Sequence, residues 1–96
     1  MKRTLGLLKE HDWSLNLEDE YFAEHPEDMV TAAARAVEET APGHYVNLVT
    51  PGELGHPETS FIPELVRKLK EARIRVKEVR YVNECGCGGH VTRVYR

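Results

Sequence analysis

The chain has 96 residues, which is enough for one small domain with one hydrophobic core. Hydrophobic residues make up 41% of it and charged residues 30%, which excludes an intrinsically disordered chain. No apolar stretch approaches membrane-spanning length, and Lys9 and Glu10 cut the N-terminal one too short for a signal peptide. We therefore expect a cytoplasmic protein that forms a single domain over residues 1–96, with residues 1–11 loosely ordered.

The net charge of −3 is distributed unevenly along the chain. Residues 1–66 carry 13 acids and 4 lysines or arginines, whereas residues 67–96 carry 9 bases and 3 acids. We expect the two parts to attract each other within the fold, with their charges solvated at the surface. Nucleic-acid binding is not expected, because the bases alternate with acids and apolar residues and the pI is mildly acidic, at about 5.9.

The first third of the chain predicts a strand and then a helix. Trp13, Leu15 and Leu17 alternate with polar residues, which is the pattern of a half-buried strand. The acidic run 18–20 predicts a solvated loop whose carboxylates could also bind a hard cation. Pro26 then suits the first turn of a helix. The apolar residues of that helix fall on one face, at Met29, Val30, Ala33 and Val37.

The middle of the chain predicts a buried strand, an ordered loop and a second helix. Residues 44–50 are rich in β-branched side chains and lie between Gly43 and Pro51. The loop 51–57 contains two prolines, two glycines and His56, a composition typical of a binding loop. Ser60 is the predicted N-cap of the following helix. Its apolar stripe consists of Ile62, Leu65, Val66 and Leu69.

The last third predicts two strands joined by a turn. We expect the first at 76–84, with a bulge between Val76 and Val79 where its pattern changes phase, and the second at 90–95. Strands connected through helices are normally parallel. The predicted fold is therefore an α/β two-layer sandwich with the order β-α-β-α-β-β. In it, two helices pack on a mainly parallel sheet that ends in an antiparallel hairpin.

The hairpin turn contains both cysteines of the chain and three of its seven glycines. Its sequence is Cys85-Gly86-Cys87-Gly88-Gly89, and His90 follows directly. Glycine permits sharp turns and close approach of another molecule to the backbone. A tight turn that happens to carry thiols is the simplest interpretation, but a turn has no need of two sulfurs. We therefore take this segment, which we call the CGCGG turn, as the candidate functional site.

The predicted topology places the loops 18–20 and 51–57 and the CGCGG turn at one edge of the sheet, where open α/β proteins bind ligands. His56 and His90 could join the thiols there, near the positive end of the second helix, which would lower a thiol pKa. Three chemistries remain open. Cys85, Cys87, His56 and His90 could bind zinc or iron, the thiols could be redox-active, or the turn could be the substrate of another enzyme.

The CGCGG turn and the stretch from His90 to Val94 resemble a family of small proteins named after this motif, which are described as ribosomally made and modified by radical SAM enzymes. The resemblance extends to Trp13-Ser14, to residues 42–50 and to Gly55-His56-Pro57. It therefore covers most of the chain.

The resemblance implies that Cys85, Gly86, Cys87, Gly88 and Gly89 form the modification site. A partner radical SAM maturase would act on them, and its S-adenosylmethionine and iron-sulfur cluster would belong to that partner. On this interpretation the chain is a substrate and not itself an enzyme. Strand sequence after the turn favours a folded protein modified in place over a cleaved peptide. The alternative is a metal-binding or thiol-redox protein that uses the two cysteines with the nearby histidines.

Overall fold

The structure is a computed structural model that describes residues 8–84 and 88–96. The described residues form a mixed α/β fold with one four-stranded sheet. Its elements, in chain order, are β1 (Trp13–Asn16), α1 (Glu20–Glu24), α2 (Pro26–Glu38), β2 (Tyr45–Thr50), α3 (Phe61–Glu71), β3 (Glu78–Glu84) and β4 (His90–Tyr95). Two short 3-10 turns, Gly52–Leu54 and Pro57–Thr59, connect β2 to α3.

Helices α2 and α3 form where the sequence predicted them. Pro26 stands at the start of α2, and two acidic residues in its first turn complement the helix dipole. The apolar face predicted for α2 is buried, and Ala34 and Ala36 join it. In α3 the buried residues are Phe61, Leu65 and Leu69. None of the helices in the described part of the chain is long and apolar enough to cross a lipid bilayer.

The prediction of a mainly parallel sheet is wrong. The strand order is β1-β2-β4-β3, and only β1 and β2 pair in parallel, while β4 is antiparallel to both of its neighbours. The physical reason is that β4 returns into the sheet between β2 and β3, burying Thr92 and Val94 completely. The more charged β3 is left at the edge, a position where charged residues oppose pairing with other chains.

Two local predictions, on the acidic run and on strand β3, also need correction. The acidic run 18–20 is not only a loop, because Asp19 caps α1 and Glu20 begins it. Strand β3 begins at Glu78 instead of Val76, and its bulge lies between Tyr81 and Asn83, not between Val76 and Val79. The prediction of Ser60 as the N-cap of α3 is confirmed, although its hydroxyl donates to the carbonyl oxygen of His56 at 2.9 Å and does not accept from the helix.

The core lies between one face of the sheet and the helices. Val46, Leu48 and Val94 point from β2 and β4 into the same buried cluster as the apolar residues of α2 and α3. The opposite face of the sheet presents residues that are half-buried or exposed, and we call it the open face. Among the described residues it is formed by Ser14, Asn16, Tyr45, Asn47, Val49, Glu78, Arg80, Val91, Arg93 and Tyr95.

Two buried threonines should respond in opposite directions to replacement by valine. The Thr40 hydroxyl accepts from the Trp13 indole at 2.9 Å and donates to the Ala36 carbonyl, so Thr40→Val leaves the indole N–H unpaired. The Thr92 hydroxyl has no hydrogen-bond partner among the described residues, so Thr92→Val removes a buried polar group at no loss of bonding. We expect T40V to lower the free energy of unfolding by about 1–3 kcal/mol and T92V to raise it by about 1 kcal/mol.

Urea unfolding of the two variants beside the parent protein measures both effects. Thr31→Val is the matched control, because the exposed Thr31 makes the same bond to the carbonyl four residues earlier, at Glu27. It should change stability by less than about 0.5 kcal/mol. Equal destabilisation by T40V and T92V would contradict the assignment of their hydroxyl partners.

Candidate functional site

The predicted meeting of loops at one sheet edge is confirmed for the described residues. Because β3 and β2 are both antiparallel to β4, and β1 is parallel to β2, the strands β1, β2 and β3 all run in one direction. The segments that follow these three strands therefore emerge at the same edge. Gly88 lies against Gly52 there, and Gly89 lies against Thr50 and Glu18.

Two of these contacts are so close that only glycine fits. A Cβ atom on Gly52 would overlap the carbonyl oxygen of Gly88. A Cβ atom on Gly89 would overlap the Glu18 carboxylate and lie 2.6 Å from the carbonyl oxygen of Thr50. Gly88 has a φ of 96°, a conformation that other residues rarely adopt. The glycines at the end of the CGCGG turn thus fasten it onto the first two loops.

A groove of about 410 Å³ opens beside Gly88. It lies between α1, with the loop before it, and the 3-10 turn after β2. Four of its lining residues are acidic. The lining consists of Glu18, Asp19, Glu20, Ala23, Pro51, Gly52, Glu53 and Gly88.

The acidic wall of this groove is held by backbone contacts. The amide of Leu17 donates to the Val49 carbonyl at 2.8 Å, which extends the pairing of β1 with β2. The amide of Glu18 donates to the Asn16 side chain at 2.8 Å, and the Asp19 carboxylate accepts from the amide of Tyr21 at 2.7 Å. The loop that leads from β1 into α1 is therefore fixed to the sheet and to the first turn of α1.

His56 is fixed at the start of the second 3-10 turn. Its carbonyl oxygen accepts from the Thr59 and Ser60 hydroxyls at 3.0 and 2.9 Å. Its Nδ1 accepts from the amide of Glu58 at 3.2 Å. A neutral imidazole whose Nδ1 accepts a hydrogen bond carries its proton on Nε2. Metal binding through Nε2 of His56 therefore requires this bond to open.

The rings of His56, His90 and Tyr81 lie next to one another. The two imidazole centroids lie 5.2 Å apart, and the Tyr81 ring lies 4.3 Å from that of His56. The Tyr81 hydroxyl and Nδ1 of His90 form a hydrogen bond of 2.9 Å. Burial raises the pKa of Tyr81 above its ordinary value of 10.0, and the charges of Glu84 and Glu58 raise it further, so the phenol keeps its proton at neutral pH.

The predicted site is brought together in part. The structure brings together four of the predicted residues at one sheet edge, namely His56, His90, Gly88 and Gly89. The other three, Cys85, Gly86 and Cys87, lie outside the described residues. The predicted lowering of their thiol pKa by the helix therefore stays a prediction. Within residues 8–84 and 88–96, no group of three or more His, Cys, Asp or Glu side chains is arranged to hold a metal ion. Zinc or iron binding by Cys85, Cys87, His56 and His90 stays a prediction.

Sequence reasoning missed Tyr81 and the packing role of Gly52. In the antiparallel hairpin Tyr81 pairs with Thr92, which places it on the same sheet face as His90. That alternation could have been read from the sequence, had the hairpin register been assigned. The contact between Gly52 and Gly88 joins residues far apart in the chain, and no local pattern indicates it.

The described fold and site define a class, namely small α/β proteins with a β-hairpin whose connecting sequence is rich in glycine and cysteine and whose described glycines pack at the edge of the sheet. A family model described as "Putative radical SAM target protein" matches residues 4–96, and the chain belongs to this family. Comparison with curated proteins and with solved structures found no significant match.

Replacing Gly52 by alanine tests how the turn is held. In an ordinary helical turn this change stabilises a protein, by up to about 1 kcal/mol. Here the new methyl group meets the Gly88 carbonyl, so we expect Gly52→Ala to lower the free energy of unfolding by about 1–3 kcal/mol. The backbone amide signals of Gly88 and Gly89 in an NMR spectrum should also shift.

Glu53→Ala is the matched control for Gly52→Ala. Glu53 is in the same 3-10 turn and is exposed, so its replacement should change the free energy of unfolding by less than about 0.5 kcal/mol. A G52A protein as stable as the parent, with unmoved Gly88 and Gly89 signals, would show that the contact does not hold the turn.

Proposed function

We propose that this protein is the substrate of a radical SAM enzyme, which modifies the CGCGG turn while the protein is folded. The observation that carries the proposal is the family match over residues 4–96, a range that includes Cys85 and Cys87. Radical SAM enzymes abstract a hydrogen atom with an iron-sulfur cluster and S-adenosylmethionine, and these cofactors belong to the partner. A bond from a cysteine sulfur to a carbon is one common product of such enzymes.

The surroundings of the turn support modification in place. Strand β4 follows the turn and pairs with both β2 and β3, and its Val94 is completely buried. Cleavage after the turn would remove this strand and with it part of the core. The residues before the turn are equally tied to the fold, since Glu84 pairs with His90. The modified segment therefore stays attached at both ends.

The described part of the turn also supports a reaction on a positioned backbone. Gly88 and Gly89 rest against Gly52, Thr50 and Glu18, so the end of the turn keeps one position relative to the sheet. Fixing one end of a reacting segment lowers the entropic cost of reaching the reactive geometry. The sheet edge would thus act as a platform on which the partner enzyme meets Cys85 and Cys87.

Co-expression with the radical SAM enzyme tests this function. Each new bond between sulfur and carbon removes two hydrogen atoms, so the intact mass should fall accordingly, and fragment spectra should place the change within residues 85–89. Cys85→Ala and Cys87→Ala should each remove the change that depends on that sulfur. Protein from the native host should have the same mass, with residues 90–96 still attached.

Co-expression with a partner that lacks its iron-sulfur cluster is the control, and it should leave the mass unaltered. An unaltered mass in the presence of the active enzyme would count against the proposal. A short released peptide, in place of the full-length product, would contradict modification in place.

A second candidate function is a metal-binding or thiol-redox protein. The observation that favours it is the 5.2 Å separation of the His56 and His90 rings, at the edge where β3 enters the CGCGG turn. The two imidazoles and the two thiols of Cys85 and Cys87 form a donor set that suits zinc, and thiolates also bind iron. The bond from the Glu58 amide to Nδ1 of His56 opposes it, because this bond must open before Nε2 can bind a metal.

Metal analysis of anaerobically purified protein, with a thiol titration, tests the second candidate. Metal binding predicts stoichiometric zinc or iron that falls in His56→Gln and His90→Gln but not in His25→Gln, a control outside the site. A redox function predicts two thiols that react unusually fast and are lost on mild oxidation. Metal-free protein with two slowly reacting thiols would exclude both versions.

A further inference from the structure

The open face of the sheet contains an arginine held in one position by aromatic rings. The guanidinium of Arg93 lies 4.2 Å from the centroid of Tyr45 and 6.0 Å from that of Tyr95. The two tyrosines contact each other edge to face at 5.5 Å. Nε of Arg93 donates to the Asn47 side chain at 2.8 Å, and Nη1 donates to the Tyr95 hydroxyl at 3.4 Å. Asn47 is itself fixed by a bond from its amide nitrogen to Ser14.

Arg93 differs from Arg67, Arg80 and Arg96 in what surrounds its charge. Arg67 pairs with Glu64 and Glu71, and Arg80 pairs with Glu78. Arg96 donates to carbonyl oxygens at the end of α2. Arg93 bonds only to a neutral amide and a neutral hydroxyl.

The guanidinium of Arg93 therefore has N–H donors without an acceptor among the described residues. A guanidinium has five N–H donors, and these two bonds use two of them. The other three have no acceptor among the described residues. The contacts of the guanidinium with the two rings and its two hydrogen bonds reduce the rotamer entropy that binding would cost. The Asp12 carboxylate also acts on Arg93 by its charge, but it forms no ion pair with Arg93 and lies against His44 instead. Arg93 is thus a positioned cation without a paired carboxylate among the described residues, and the bidentate geometry of a guanidinium favours a carboxylate or a phosphate.

Charge and ring geometry distinguish between occupants of this face. Residues 1–7 contain Lys2 and Arg3 and no acid, so they do not complement Arg93. A nucleic acid would need several unpaired cations and free aromatic faces. Arg80 is already paired with Glu78, and the Tyr45 ring is already covered by Arg93. A peptide segment with one or two carboxylates needs neither several unpaired cations nor free aromatic faces.

We propose that the open face of the sheet binds an acidic segment of a partner protein, with a carboxylate of that segment on the free N–H groups of Arg93. The neutral side chains of Asn47, Tyr45 and Tyr95 supply further hydrogen bonds and a flat contact surface. This surface lies on the opposite side of the sheet from the helices. The proposal is independent of what happens at the CGCGG turn.

Titration of isotope-labelled full-length protein with hexaglutamate, followed by NMR, tests the proposal. The Nε–H signal of Arg93 and the amide signals of Tyr45, Asn47 and Tyr95 should shift with saturation. Sodium chloride at the same ionic strength should not reproduce these shifts. Arg93→Gln should weaken binding about tenfold or more, because hydrogen bonds to charged groups contribute at least that much to binding. The affinity of Arg93→Lys for hexaglutamate should lie between those of the parent protein and of Arg93→Gln.

Arg35→Gln is the matched control, since it removes the same charge from an exposed position on the helix side. It should leave the affinity for hexaglutamate unchanged. Shifts that follow salt alone, or that map to the lysines of α3, would overturn the proposal, as would tighter binding of an oligothymidylate to the open face. If Arg93→Gln does not fold, the shift map of the parent protein and the Arg93→Lys affinity decide the question.

Discussion

The structure depends on the double pairing of β4. This strand bonds to β2 along one edge and to β3 along the other, and it supplies Val94 to the core. Because β4 is antiparallel to both of its neighbours, β3 runs in the same direction as β2. The CGCGG turn therefore follows β3 at the edge of the sheet where the loop after β2 also emerges. A hairpin strand added outside β3 would have separated the turn from Gly52.

The helices could be predicted because their evidence is local. Pro26 with two acids, and the apolar residues that recur every three or four positions, indicate α2 without knowledge of the rest of the chain. The place of β4 could not be read in this way, since an antiparallel hairpin is compatible with either side of β3. The charged residues of β3, such as Glu78 and Arg80, were a signal that this strand forms an edge.

Some features of the candidate site could likewise be predicted from the sequence, and others could not. The meeting of His56 and His90 followed from strand direction alone, which the prediction had right although it had the strand order wrong. Predicting that Tyr81 belongs to the site required the register of the hairpin, and the bulge between Tyr81 and Asn83 alters that register. The fit of Gly52 against Gly88 depends on tertiary packing to within an ångström, which no single sequence pattern specifies.

The bulge in β3 has a consequence for the behaviour of the protein in concentrated solution. The sheet has two outer strands, and a regular outer strand offers unpaired N–H and C=O groups on which another molecule can extend the sheet. Strand β1 has only four residues, and β3 is interrupted at Val82, between two charged ends. Neither offers a long regular template, so among the described strands the sheet is protected against edge-to-edge growth into fibrils.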